Sequence, residues 1–166
     1  MGMQTDVKSA HVTSSGVTVS YRTRLKGAVI SANATAATRH AVFANNSTQT
    51  GTYGRSTTTV TCTITNHGLT TGDRVWLVFA AGTGGTATTG VYSVTVTDAN
   101  VFTVTDSASG SITGSPAVTM YADILMEVDS YNPTAFNVLV PGEGIVATSG
   151  IYTGLAANVT ATVFYG

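Results

Sequence analysis

Between residues 57 and 104 the chain is built of short apolar runs, several of which alternate with period two. Val60, Cys62 and Ile64 are separated by threonines, which puts three apolar side chains on one face of a strand and hydroxyls on the other. Tyr92, Val94 and Val96 form another alternating set, and Phe102 and Val104 continue it after Asp98-Ala99-Asn100. Residues 75–79 (Val-Trp-Leu-Val-Phe) are continuously apolar, the mark of a strand covered on both faces. Asn66-His67-Gly68 and Thr71-Gly72-Asp73 supply turns, since Gly accepts positive φ and Asn and Asp bond to nearby backbone. A helix has no place in such a pattern. The stretch reads as a meander of short strands, a small antiparallel barrel or sandwich.

The order Thr-Asn-His-Gly-Leu-Thr-Thr-Gly-Asp-Arg-Val, Gly-Val-Tyr-Ser-Val-Thr and Phe-Thr-Val-Thr resembles a small β-module that recurs in phage virion proteins. The module takes its name from the first catalytic-cysteine half-domain of ubiquitin-activating enzymes. The likeness covers roughly residues 57–118. It implies a spacer or surface module of a phage particle and no ubiquitin chemistry. Cys62, inward with Val60 and Ile64, adds none.

The 166 residues suffice for one large or two small domains. Charged residues make up only 9%, against about a quarter in ordinary soluble domains. Thr, Ser, Ala and Gly fill the gap, while plentiful Val, Ile, Tyr and Phe argue against disorder. A net charge of −1 gives no bulk attraction to nucleic acid or membrane. One cysteine excludes an internal disulfide framework. No charged-then-apolar leader opens the chain, and no apolar run spans a bilayer, so synthesis in the host cytoplasm without export is expected.

The flanks also read as strands. Before the central stretch, Val17, Val19 and Tyr21 alternate, and residues 25–31 and 39–44 follow as two more strands, with a loop at 33–37. Residues 45–55, rich in Asn, Ser, Thr and Gly, read as a linker, and 107–116 as a second loop. Val118, Met120, Ile124, Met126 and Val128 share one parity and predict a long strand. A turn at 129–133 precedes alternating Phe136, Val138 and Val140, and Pro141-Gly142-Glu143-Gly144 is a tight turn before three further strands. Neither flank is complete alone. The expectation is an all-β fold: a composite, jelly-roll-like β-sandwich from residues 1–52 and 118–166, with a small antiparallel β-barrel inserted at 53–117. Insertion at a hairpin tip is cheap because closure entropy grows slowly with loop length.

Met-Gln-Thr-Asp-Val-Lys-Ser-Ala, Arg-Thr-Arg-Leu-Lys-Gly, Val-Pro-Gly-Glu-Gly-Ile-Val-Ala and Val-Thr-Ala-Thr-Val-Phe-Tyr-Gly resemble small structural proteins of short-tailed, cyanophage-like marine phages. That likeness, covering most of the chain outside the insertion, implies a non-enzymatic virion protein. The expected role is a capsid decoration or accessory. The alternative is a tail component: a fibre, adaptor or receptor-binding protein touching host glycan.

Charge is unevenly placed. Lys8, Arg22, Arg24, Lys26 and Arg39 precede residue 50, while Asp123, Glu127, Asp129 and Glu143 follow the insertion with no Lys or Arg beside them. Arg22, Arg24, Lys26, Asp123, Glu127, Asp129 and Glu143 are therefore the candidate contacts to other subunits or virion proteins such as the major capsid protein. Asp123, Glu127 and Asp129 are expected on one strand face. A nucleic-acid face at Arg22, Arg24 and Lys26 would need an interleaved aromatic platform, which the sequence lacks there. A symmetric homo-oligomer, a trimer by likeness to phage decorations and fibres, is the expected assembly.

Residues for chemistry are sparse. His67 reads as a turn residue, and no Gly-x-Ser-x-Gly elbow accompanies any Ser, His and Asp. Asp73, Asp98 and Asp106 read as backbone acceptors in separate turns. Asp98, Asn100 and Asp106 are the weaker alternative of a calcium site, which needs several converging oxygens. The Gly/Thr loop at 82–90 lacks the Lys and helix start of a phosphate cradle. Trp76 and Tyr92 are candidate exposed glycan contacts, weighed against a place in the core. No catalytic residue, metal or cofactor is expected, and a glycan hydrolase is the remaining enzymatic alternative.

Overall fold

The computed structural model describes residues 6–32, 40–129 and 135–166, all strand, turn or loop. The loop expected at 33–37, Arg39 and most of the turn expected at 129–133 lie outside the described residues. The fold is all-β, as the alternation requires. The chain divides into two compact units, one made of Met1–Ser47 with Asp123–Gly166, the other of Thr48–Ala122. The second unit is thus wider at both ends than the expected 53–117.

In the first unit β1 (Lys8–Val12), β16 (Val159–Tyr165), β3 (Thr23–Ala32) and β13 (Phe136–Leu139) form one antiparallel sheet. β14 (Ile145–Ala147) pairs with β3 beside β13. The other sheet runs β12 (Ile124–Asp129), β4 (His40–Asn45), β15 (Ile151–Leu155), β2 (Gly16–Val19). Leu25, Ile30 and Val163 from the first sheet share a core with Phe43 and Ile151 from the second, which makes the unit a sandwich. Fully burying such side chains contributes about 1.5–3 kcal/mol each. β4 and β12 are antiparallel neighbours, and the second unit is the stretch of chain that connects them. The Asn45 amide donates to the Asp123 carbonyl at 2.8 Å, which ties the two ends of the insertion together.

The second unit is one barrel-like seven-stranded sheet. Its order is β8 (Gly90–Ser93), β7 (Arg74–Phe79), β11 (Ala117–Tyr121), β5 (Gln49–Ser56), β6 (Thr59–Thr63), β10 (Val101–Thr105), β9 (Thr95–Val96). Val60, Cys62 and Ile64 point inward with Phe102 and Val104, and Phe102 sits opposite Cys62.

Two expectations need correcting. Residues 45–55 are not a linker, because β5 pairs with both β6 and β11. Gly51 is there for closeness rather than flexibility: a Cβ would lie 2.0 Å from the Thr63 carbonyl oxygen. The long strand expected over 118–128 is two strands, β11 and β12, in different sheets and different units. The break falls at Ala122-Asp123, and a register shift between Ile124 and Met126 ends the shared parity.

Candidate functional site

The charged candidates on the first unit do not all gather in one place. Arg24 and Lys26 flank the fully buried Leu25 on β3, so strand alternation turns both away from the core. The turn at 141–144 lies against them, and it needs Gly144 at φ +81, where a Cβ would meet the Leu25 carbonyl at 2.4 Å. This brings Glu143 to Arg24 at 3.3 Å. The Lys26 ammonium donates to the Glu143 carbonyl at 2.8 Å, and the Arg24 guanidinium to the Gly144 carbonyl at 3.3 Å. Three expected contact residues therefore form one cluster within the chain. Glu143 is 82% exposed, so its pair with Arg24 contributes little energy and mainly sets side-chain direction.

Asp123 belongs elsewhere. Its carboxylate accepts from the Asn45 side-chain amide at 3.1 Å. That same amide donates to Thr148 Oγ1 at 2.7 Å, while Asn45 Oδ1 accepts from the Ser149 amide at 2.9 Å. Asn45 is buried, and it is the hub that fixes the ends of the insertion. Nothing in the sequence marked it beyond its place in a polar run. Asp123 therefore does not share a strand face with Glu127 and Asp129. It precedes β12, and the register shift separates it from them. Glu127 is half-buried opposite Val42, and Asp129 is exposed opposite His40. Arg22 is exposed in the turn before β3.

In the second unit Trp76 is 1% exposed. It offers no ring face to a sugar, so its candidacy as an exposed glycan contact is overturned in favour of a buried role. Tyr92 is half-buried, with its ring edge-on to Phe79 at 6.1 Å and its hydroxyl donating to the Thr88 carbonyl. Burial pushes its phenol up, and the Asp106 carboxylate adds to the shift.

Several groups of the second unit suited to chemistry are held by their neighbours. His67 is buried, its Nδ1 accepting from the Leu69 amide at 3.0 Å. Its Nε2 therefore carries the proton and donates to the Asp98 carbonyl at 3.0 Å. Asp73 accepts from the Thr70 amide and hydroxyl, and Asp98 from the amides of Asn100 and Val101. Both are turn acceptors, as the sequence indicates. Burial pushes the Cys62 thiol up to about 12.

Asp106 differs from the other two. It forms a 2.5 Å pair with Arg55 and also accepts from the amides of Thr88 and Ala108. Burial pushes its carboxyl up, but hydrogen bonds from Thr88, Ala108 and Arg55 outweigh it and hold it below the usual range. It is committed to Arg55 and does not converge with Asp98 and Asn100. Among the described residues no three His, Cys, Asp or Glu side chains gather to hold a metal ion.

Comparison with known proteins gives no match: no family model, no curated protein and no solved structure is similar to this chain.

Proposed function

We propose that this chain is a non-enzymatic structural protein of a bacteriophage particle, a decoration or accessory protein on the head. The sandwich unit is its anchor, and the inserted unit its exposed part. It assembles as a homotrimer with neighbours among the virion proteins. One observation carries the non-enzymatic part. His67, Asp73, Asp98, Asp106 and Cys62 of the inserted unit are bound into turns, an ion pair or the core. The likeness of both chain ends to small marine-phage structural proteins, and of the central stretch to a virion β-module, supplies the virion part.

The test is composition. Particles of the phage that carries this sequence, purified and separated on a denaturing gel, are expected to contain the chain in many copies, co-purifying with heads freed of tails. Recombinant protein is expected to be trimeric by light scattering. A chain that leaves with the tails, or is missing from particles, contradicts the assignment, and a stable monomer at micromolar concentration contradicts the trimer.

A further inference from the structure

Where β1, β16 and the turn before β3 meet, the first unit holds a cleft of about 240 Å³. Asp6, Lys8, Tyr21, Arg22, Arg24 and Tyr165 line it. The lining has three cationic side chains and one acidic one. Lys8 Nζ stands 5.9 Å from the centre of the Tyr21 ring, and Tyr21 is 51% exposed. Arg22 is exposed, and among the described residues Arg24 alone of the three bases forms an ion pair, with Glu143. The chain separation of these groups (residues 6–8, 21–24 and 165) hid the cleft in the sequence. Tyr21 adjoins Arg22 in the sequence, and folding adds Lys8 and Tyr165 to it.

The geometry points to this cleft as a docking site for an acidic segment of a neighbouring polypeptide, one or two of whose carboxylates enter between Lys8, Arg22 and Arg24. Charge complementarity selects that partner. The attraction of the Lys8 ammonium to the Tyr21 ring favours its placement beside the cleft. The volume suits a side chain or two. Nucleic acid is a poorer fit, because it needs a basic stripe that tracks a backbone. Here the next base along β3, Lys26, is turned to the Glu143 carbonyl instead. The inference deepens the anchoring role proposed for this unit and rests on it only for whose acidic segment docks.

The experiment titrates the full-length protein with a capped hexaglutamate peptide, a capped hexaglutamine peptide and a ten-nucleotide oligothymidylate at low salt. Binding is read by calorimetry and by NMR shifts. Hexaglutamate alone is expected to bind, with shifts at residues 6–8, 21–24 and 165. Affinity should fall by about fivefold for each of Lys8→Ala and Arg22→Ala, the upper end for an exposed pair, and fall further with salt. Tyr21→Phe, which keeps the ring, should bind as wild type. Both alanine variants alter exposed side chains, and an unchanged circular dichroism spectrum verifies their fold. The inference is overturned if hexaglutamate does not bind, if it binds the variants equally, or if oligothymidylate binds more tightly. None of these outcomes bears on whether the chain is present in particles.

Discussion

Arg55 and Asp106 form an ion pair at 2.5 Å whose side chains are only 6% and 0% exposed. The pair joins β5 to the loop after β10. Arg55 Nε also donates to the Gly110 carbonyl, and the Arg55 backbone exchanges hydrogen bonds with Ile112. Loop residues 106–112 are thereby held onto the sheet. Removing one partner leaves the other charged and buried. Arg55→Met is expected to cost roughly 3–5 kcal/mol in urea unfolding, and Asp106→Leu a similar amount. The double variant should cost clearly less than their sum, and strict additivity would contradict the coupling.

Asp106 also sets an acid limit. An unfolded aspartate titrates near ~3.9. In the folded chain Asp106 lies lower, so its stabilisation is full above the unfolded value and is lost as pH falls through the folded one. Wild-type stability should therefore drop steeply on acidification below about pH 4. Asp106→Asn, already less stable at neutral pH, should show a shallower slope there. Parallel pH profiles of unfolding midpoint would refute the assignment.

Cys62 should be silent to thiol reagents. It is fully buried and its thiol is pushed up to about 12. Thiolate is the reactive form, so native protein at pH 8 should resist Ellman's reagent, while guanidinium-unfolded protein reacts at once. Equal rates in both states would mean that the core opens readily.

The insertion should be removable. The Asn45 amide and the Asp123 carbonyl already meet, so a short Gly/Ser linker replacing residues 48–122 has little distance to span. The remaining sandwich should fold, since shortening a closed loop does not raise its closure cost. It should keep a cooperative thermal transition and dispersed amide spectra. A molten or insoluble product would show that the two units depend on each other.

What the sequence disclosed followed burial. Val60, Cys62 and Ile64 were legible because apolar and hydroxyl residues strictly alternate, and residues 75–79 because both faces are apolar. β5 was missed because its inward positions are Gly51, Tyr53 and Arg55, a glycine and a charge where apolar residues usually stand. The β5–β6 hairpin turns through Thr57 at φ 56, without the Asn-Gly or Asp-Gly signal such turns favour. Asp106 resembled the turn acceptors Asp73 and Asp98, and its partner lies on another strand, with no local signal. Of the contact residues, Arg24, Lys26 and Glu143 did come together, whereas Asp123 was drawn off by Asn45.

The most direct measurement is a side-chain-resolution reconstruction of the purified particle. The expected result is threefold density on the head shell that accepts this chain, with the sandwich unit seated on the capsid and the barrel-like unit outward. Density for the chain on the tail, or an inverted seating with the barrel-like unit on the shell, would contradict the account.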